Sequence, residues 1–116
     1  MIADPFKQTT EDLYAAIFSA LGEPARIGIL RMIADTDELP CTVLDETLPI
    51  SKSTISYHIK ILYHAHLIEV RKSGRYYFYK LRPGVLEEYL PGFLEHLSRD
   101  RAPRRASRRA DSAVRR

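Results

Sequence analysis

A helical period that breaks off into two β-rich runs, all within residues 51–81, constrains this 116-residue chain more than any other feature. Ser51 to Leu67 reads SKSTISYHIKILYHAHL. Ser51 suits an N-cap, because its hydroxyl can accept from a first-turn N–H that has no partner inside the helix, and Lys52 through Ala65 contain neither Pro nor Gly. That predicts a helix of about four turns. Ile55, Ile59 and Leu62 recur at helical spacing and form one apolar face directed into a core. Lys52, Ser53, Ser56, Tyr57 and Lys60 recur on the other face. They offer cations for phosphates, and hydroxyls and a phenol able to reach base edges. A solvated amphipathic helix has the same period, so the helix alone does not decide between the two.

The residues that follow do more. Leu67 to Lys72 (LIEVRK) and Arg75 to Leu81 (RYYFYKL) are β-branched and aromatic runs separated by Ser73 and Gly74, which predicts a hairpin. Ile68, Val70, Tyr76 and Phe78 are its expected alternating apolar positions. Arg71, Lys72 and Arg75 crowd the turn, where a cationic tip suits a phosphate backbone or a minor groove.

Upstream, Leu13, Ile17, Ala20 and Leu21 give a first helix over Glu11 to Leu21, closed by Gly22 as a C-terminal glycine. Pro24 suits the first turn of a second helix, PARIGILRMIAD, whose Ile27, Leu30 and Ile33 face inward. Thr42 is expected to cap a short third helix, VLDETL, which Pro49 ends. This helix, the turn LPI and the helix after Ser51 make a helix-turn-helix. Pro83 opens a last helix with a broad stripe of Val85, Leu86, Tyr89, Leu90, Phe93, Leu94 and Leu97. Pro91 and Gly92 predict a kink in it, or two short helices. So broad a stripe exceeds what one small core needs, and is assigned with the first helix to a dimer interface.

The order LGEPARIGILRMI, then VLDETLPISKSTISYHIKIL, then HLIEVRKSGRYYFYKL resembles the ArsR-like family of bacterial winged helix-turn-helix repressors over about Phe18 to Leu81. The resemblance implies a homodimer that binds operator DNA and releases it when an effector binds. The expected fold is therefore mainly α with a small β-hairpin, a winged helix-turn-helix, with the dimer formed by the first and last helices.

Charge is divided along the chain in agreement with this reading. Residues 1–50 hold three Lys or Arg against nine acids, and residues 51–82 hold seven against one. Residues 83–98 add three acids, and residues 99–116 hold eight Arg against two Asp. Positive charge thus lies on the proposed helix, the hairpin and the tail, while the rest repels nucleic acid. The expected organisation is a flexible arm over 1–10, one DNA-binding and dimerisation domain over 11–98, and a disordered Arg-rich tail over 99–116. The tail either adds non-specific phosphate contacts or only solubilises. Residues 1–10 carry Asp4 and Lys7 without an apolar run, and nowhere do about 18 apolar residues follow one another, so a cytoplasmic protein with no membrane partner is expected. A single cysteine fits a reducing compartment.

Metal-sensing members of the resembled family often carry ELCVCDL in the third helix. Here Glu38 and Leu39 match, but Pro40 and Thr42 stand where the two cysteines would be, and Cys41 falls between them. Zinc-sensing members place Asp, His, His and Glu on the last helix, where this chain offers Glu87, Glu88, Glu95 and His96. Neither site is expected, and no cofactor. His64 and His66 diverge on a continuous helix and converge only if it ends between them, with His66 at the left-handed cap where the family usually has Gly. They are read as surface histidines, and His58 as a structural or phosphate-contacting group. No enzyme constellation is present, since there is no phosphate loop, no acid pair in a defined register and no base for Cys41.

The expected function is a sequence-specific, homodimeric DNA-binding repressor on double-stranded DNA with an inverted-repeat operator, responding to no metal at the usual sites and open to an unidentified small-molecule effector. Ser53, Ser56 and Tyr57 are the candidates for base contacts. Lys52, Lys60, Arg71, Lys72 and Arg75 are the candidates for phosphate or minor groove. The alternatives are a winged-helix protein-interaction module, or a non-specific nucleoid-type binder led by the tail.

Overall fold

A computed structural model describes residues 8–98. They fall into two compact units that divide between Arg82 and Pro83. The expected tail, 99–116, and most of the expected arm lie outside the described residues.

In the first unit, α1 (Thr10–Leu21) starts one residue earlier than its apolar period suggested, because Thr9 forms a capping box. Its hydroxyl accepts from the Asp12 N–H at 3.0 Å, and the Asp12 carboxylate accepts from the Thr9 N–H at 3.4 Å. Gly22 ends α1 at φ −80°, so left-handed freedom is not its role. A Cβ there would lie 3.2 Å from the Phe18 carbonyl oxygen, tighter than an ordinary contact. Pro24 then opens α2 (Pro24–Ala34), as its fixed φ allows. The buried face of α2 carries Ile29, Leu30 and Ile33, whereas Ile27, expected inside, is only half-buried.

Leu39 and Pro40 form a two-residue strand, β1, that the sequence reading did not contain. It leads directly into α3 (Cys41–Thr47), whose N-cap position is Pro40 with no side-chain hydrogen bond, so Thr42 lies inside the helix and does not cap it. The next helix, α4 (Lys52–His64), is capped as expected, with Ser51 Oγ accepting from the Thr54 N–H at 3.2 Å. Ile55, Ile59 and Leu62 are buried.

The end of α4 is a Schellman motif. Leu67 N–H donates to the Leu62 carbonyl at 3.1 Å and His66 N–H to the Tyr63 carbonyl at 3.0 Å, with Leu62 and Leu67 both fully buried. His66 holds φ +64°, the left-handed position expected of it. A side chain there costs about 1–2 kcal/mol, partly offset in glycine by its larger unfolded-state entropy. Substituting His66→Gly is therefore expected to stabilise the fold by about 0.5–1 kcal/mol in urea unfolding; no gain would show that the 3.1 Å bond from His66 Nε2 to Gln8 Oε1 outweighs the backbone strain.

Strands β2 (Ile68–Ser73) and β3 (Tyr76–Leu81) pair antiparallel, and β1 adds to the far side of β3, giving the order β1-β3-β2. Ser73 pairs with Tyr76, so the loop is Gly74–Arg75 and not Ser73–Gly74. Gly74 holds φ +63°, which fits a turn with glycine at its first central position. A shift of one residue in a strand exchanges its faces. Val70 lies opposite Tyr79 and Ile68 opposite Leu81, so Tyr77, Tyr79 and Leu81 share the face of Ile68 and Val70. The expected grouping with Tyr76 and Phe78 is corrected accordingly; Phe78 lies opposite Arg71 on the other face.

In the second unit, α5 (Pro83–Tyr89) stops before Pro91, Gly92 takes φ +87°, and residues 93–98 are helical again. Two short helices replace one, as Pro91 and Gly92 predict. Leu86 and Leu97 are buried, and the rest of the apolar stripe is half-buried. Among the described residues no single helix is long and apolar enough to cross a membrane.

Candidate nucleic-acid interface

Every polar residue expected to act on α4 is exposed. Lys52, Ser53, Ser56, Tyr57 and Lys60 all lie on its open face, and Tyr57 is 59% exposed. No acidic residue occupies the first turn of α4, so the helix dipole there meets only the Lys52 cation and hydroxyls. Ser51 Oγ lies 3.1 Å from Ser53 Oγ and donates to Thr54 Oγ1 at 2.9 Å, which makes the start of the helix an ordered cluster of hydroxyls. Tyr63 and His64 continue the exposed face, with Tyr63 48% exposed and its ring centroid 5.4 Å from that of His64. Tyr63 was not among the expected site residues, although its spacing from Ser56 and Lys60 puts it on the same face.

The hairpin presents its cations unequally. Lys72 Nζ lies 5.7 Å from the Tyr77 ring centroid, and the Arg75 guanidinium 5.6 Å from that of Tyr76, both within cation–π range. Tyr76 and Tyr77 are 44% and 42% exposed, so the tip pairs cations with aromatic surface. Basic residues interleaved with aromatics were the available signal; treating Tyr76 as an apolar strand position hid it. Arg71 is held differently. Its Nε donates to Glu38 Oε2 at 2.8 Å and a terminal nitrogen donates to Glu38 Oε1 at 2.7 Å, while its guanidinium lies 4.5 Å from the Phe78 ring centroid. One side chain on β2 thus engages the residue before β1 and a ring on β3. It is geometrically a brace of the three-stranded sheet.

The hydrogen bond from Arg71 holds the Glu38 carboxyl below the usual carboxylate range against the opposing cost of desolvation, with the charges of Arg71 and Lys80 adding to it. A lowered folded-state value means that the brace contributes above the ordinary carboxylate range and is lost as pH falls through the lowered value. Carbon-detected NMR titration of Glu38 is expected to show a midpoint below that of an unperturbed glutamate, about 4.3. An ordinary midpoint would mean that the fork does not persist in solution.

Behind the open face of α4, Arg26 and His58 are buried at 8% exposure each. Arg26 Nε donates to the Ala20 carbonyl at 2.8 Å, one terminal nitrogen to the Ser19 carbonyl at 3.3 Å, and the other to His58 Nδ1 at 3.0 Å. Arginine only donates, so His58 Nδ1 accepts and the ring proton lies on Nε2. One guanidinium therefore joins the end of α1 to the middle of α4. His58 is buried in this bridge, behind the exposed face of α4. The signal was present, since Arg26, Ile29, Leu30 and Ile33 repeat the i, i+3, i+4, i+7 pattern, and Ile55, His58, Ile59 and Leu62 repeat it again.

Cys41 is half-buried, and its sulfur accepts from the Tyr77 N–H at 3.4 Å. Burial, with Cys41, Asp45 and Tyr77 nearby, pushes the Tyr79 phenol up to about 12. Among the described residues no three His, Cys, Asp or Glu side chains are grouped to hold a metal ion.

A helix-turn-helix domain family matches residues 21–71. The chain is similar to the uncharacterized HTH-type transcriptional regulator YceK of Bacillus subtilis, 40% identical over 92 residues that span 78% of this chain and 92% of that one. It is similar at 29% identity over 83 residues to the transcriptional repressor SdpR of Bacillus subtilis, spanning 72% of this chain and 91% of the repressor. Among solved structures, an ArsR-like transcriptional regulator from Rhodococcus sp. RHA1 superposes with a TM-score of 0.63 at 27% identity, covering 84% of this chain and 90% of that one.

Proposed function

The chain belongs to the ArsR-type helix-turn-helix transcriptional regulators, and from that premise we propose a homodimeric repressor that places its two α4 helices in successive major grooves of an inverted-repeat operator. It is a regulator, not an enzyme. The observation that carries the reading is the division of α4. One face is buried through Ile55, His58, Ile59 and Leu62, and the opposite face leaves Lys52, Ser53, Ser56, Tyr57 and Lys60 exposed.

Ser53, Ser56 and Tyr57 reach base edges, while Lys52 and Lys60 meet phosphates. Lys72 and Arg75 at the hairpin tip follow the flanking backbone or minor groove. Arg71, with its fork on Glu38, holds the hairpin in place for them. Two-fold symmetry sets half-sites about 10 bp apart centre to centre, or a multiple of that. The dimer is assigned to the first and last helices. Tyr14 and Phe18 support this, because they stack at 6.0 Å on α1 while remaining exposed, Phe18 at 58%. The effector is an unidentified small molecule and not a metal at the usual family sites, and the compartment is the cytoplasm. Sedimentation of the free protein is expected to give a species of two chains. A monomer at micromolar concentration that stays monomeric on operator DNA would contradict the two-fold reading.

A further inference from the structure

An open groove of about 470 Å³ lies between the C-terminal half of α4 and the strands β2 and β3. This falls within the roughly 300–1,000 Å³ of small-molecule sites. Ile59 and Val70 give it aliphatic surface, and Tyr63, Tyr77 and Tyr79 contribute three rings. Lys60 lines it from α4 and Lys72 from β2, and none of its lining residues is acidic. Such a lining suits a flat apolar body carrying one negative charge. The Tyr79 phenol, pushed up to about 12 by burial, remains a hydrogen-bond donor across the physiological range.

We propose that this groove binds a small aromatic carboxylate, and that its occupancy releases DNA. The release rests on the DNA interface proposed above, since Lys60 and Lys72 are also the groups assigned to phosphates. A carboxylate between them cancels one of their two positive charges and engages both ammonium groups that would otherwise displace counterions from DNA. By linkage, the acid then weakens DNA binding by the factor by which DNA weakens the acid. The effector of this regulator is thereby given a chemical class and a place on the chain.

The test titrates benzoate, naphthoate and indoleacetate into the DNA-free, full-length protein and follows backbone amide chemical shifts, with the corresponding primary amides as uncharged counterparts. The expected result is saturable shifts at Ile59, Tyr63, Val70 and Tyr79 for at least one acid, with its amide about tenfold weaker or worse. Val70→Trp, which fills the groove from a position that has no part in the proposed DNA contacts, is expected to abolish the shifts. Should that variant fail to fold, Tyr63→Ala is expected to weaken binding at least about threefold. Absence of saturable shifts below about 10 mM would overturn the site, as would equal affinity for an acid and its amide, or shifts confined to other surfaces. With the site established, saturating acid is expected to weaken operator binding about tenfold or more. Unchanged operator affinity would overturn the release. Because the first arm contains no DNA, failure of the DNA interface itself would appear separately, as an acid-binding protein with no preferred duplex.

Discussion

Replacing Arg26 by leucine is expected to lower the free energy of unfolding by about 2–4 kcal/mol. Leucine keeps much of the apolar stem that Arg26 buries but none of its donors, and Arg26 is only 8% exposed. The Ser19 carbonyl retains the N–H of Gly22 at 3.2 Å. The Ala20 carbonyl and His58 Nδ1 lose the guanidinium that now serves them. Each buried acceptor left without a donor costs about 1–3 kcal/mol, and the relief of a desolvated cation offsets part of the total. Urea unfolding at unchanged slope measures the result as a shift in midpoint. Arg26→Lys is expected to recover less than half, because one ammonium cannot reproduce a planar fork across two helices. A loss below about 0.5 kcal/mol for leucine would show that the bridge from α1 to α4 contributes nothing net.

The second expectation concerns recognition. Tyr57→Ala is expected to cost about 1–3 kcal/mol on the preferred duplex, roughly 5- to 150-fold in affinity, and much less on unrelated DNA. Lys60→Ala is expected to weaken every sequence alike and to reduce the salt slope of log affinity by about one. Both side chains are exposed, so neither substitution is expected to move the unfolding free energy by more than about 0.5 kcal/mol. Fluorescence anisotropy on matched and scrambled duplexes at several salt concentrations separates the two effects. Equal losses on all sequences for both variants would end the division between base and phosphate contacts.

What could be read from the sequence was what is settled within a few residues. Ser51 caps α4 because the hydroxyl and the amide it serves are three residues apart. Ile55, Ile59 and Leu62 face inward because the helical period fixes their direction. Pro91 and Gly92 divide the last segment into two short helices through local backbone geometry. The exposed cations and hydroxyls of α4 were legible for the same reason.

Pairings across the chain were not. Strand β1 is only two residues long and contains a proline, so its place beside β3 follows from long-range packing and not from propensity. The fork between Glu38 and Arg71 spans 33 residues, and nothing local to either marks it. A loop misplaced by one residue assigned Tyr76 and Phe78 to the face that Tyr77 and Tyr79 occupy, and it concealed the tyrosines at the hairpin tip. The bridge between Arg26 and His58 was not legible for another reason. Their spacing marked them as inward, but charge argued against burial, and only the facing side chains show how the guanidinium is satisfied.

The most direct measurement is selection of the full-length protein on a random duplex pool at near-physiological salt, with sequencing of the retained DNA. The expected result is a two-fold symmetric consensus whose half-sites lie about 10 bp apart, or a multiple of that, and which Tyr57→Ala shifts or blurs. Retention of duplex without enrichment of any sequence would contradict a repressor that reads bases through α4.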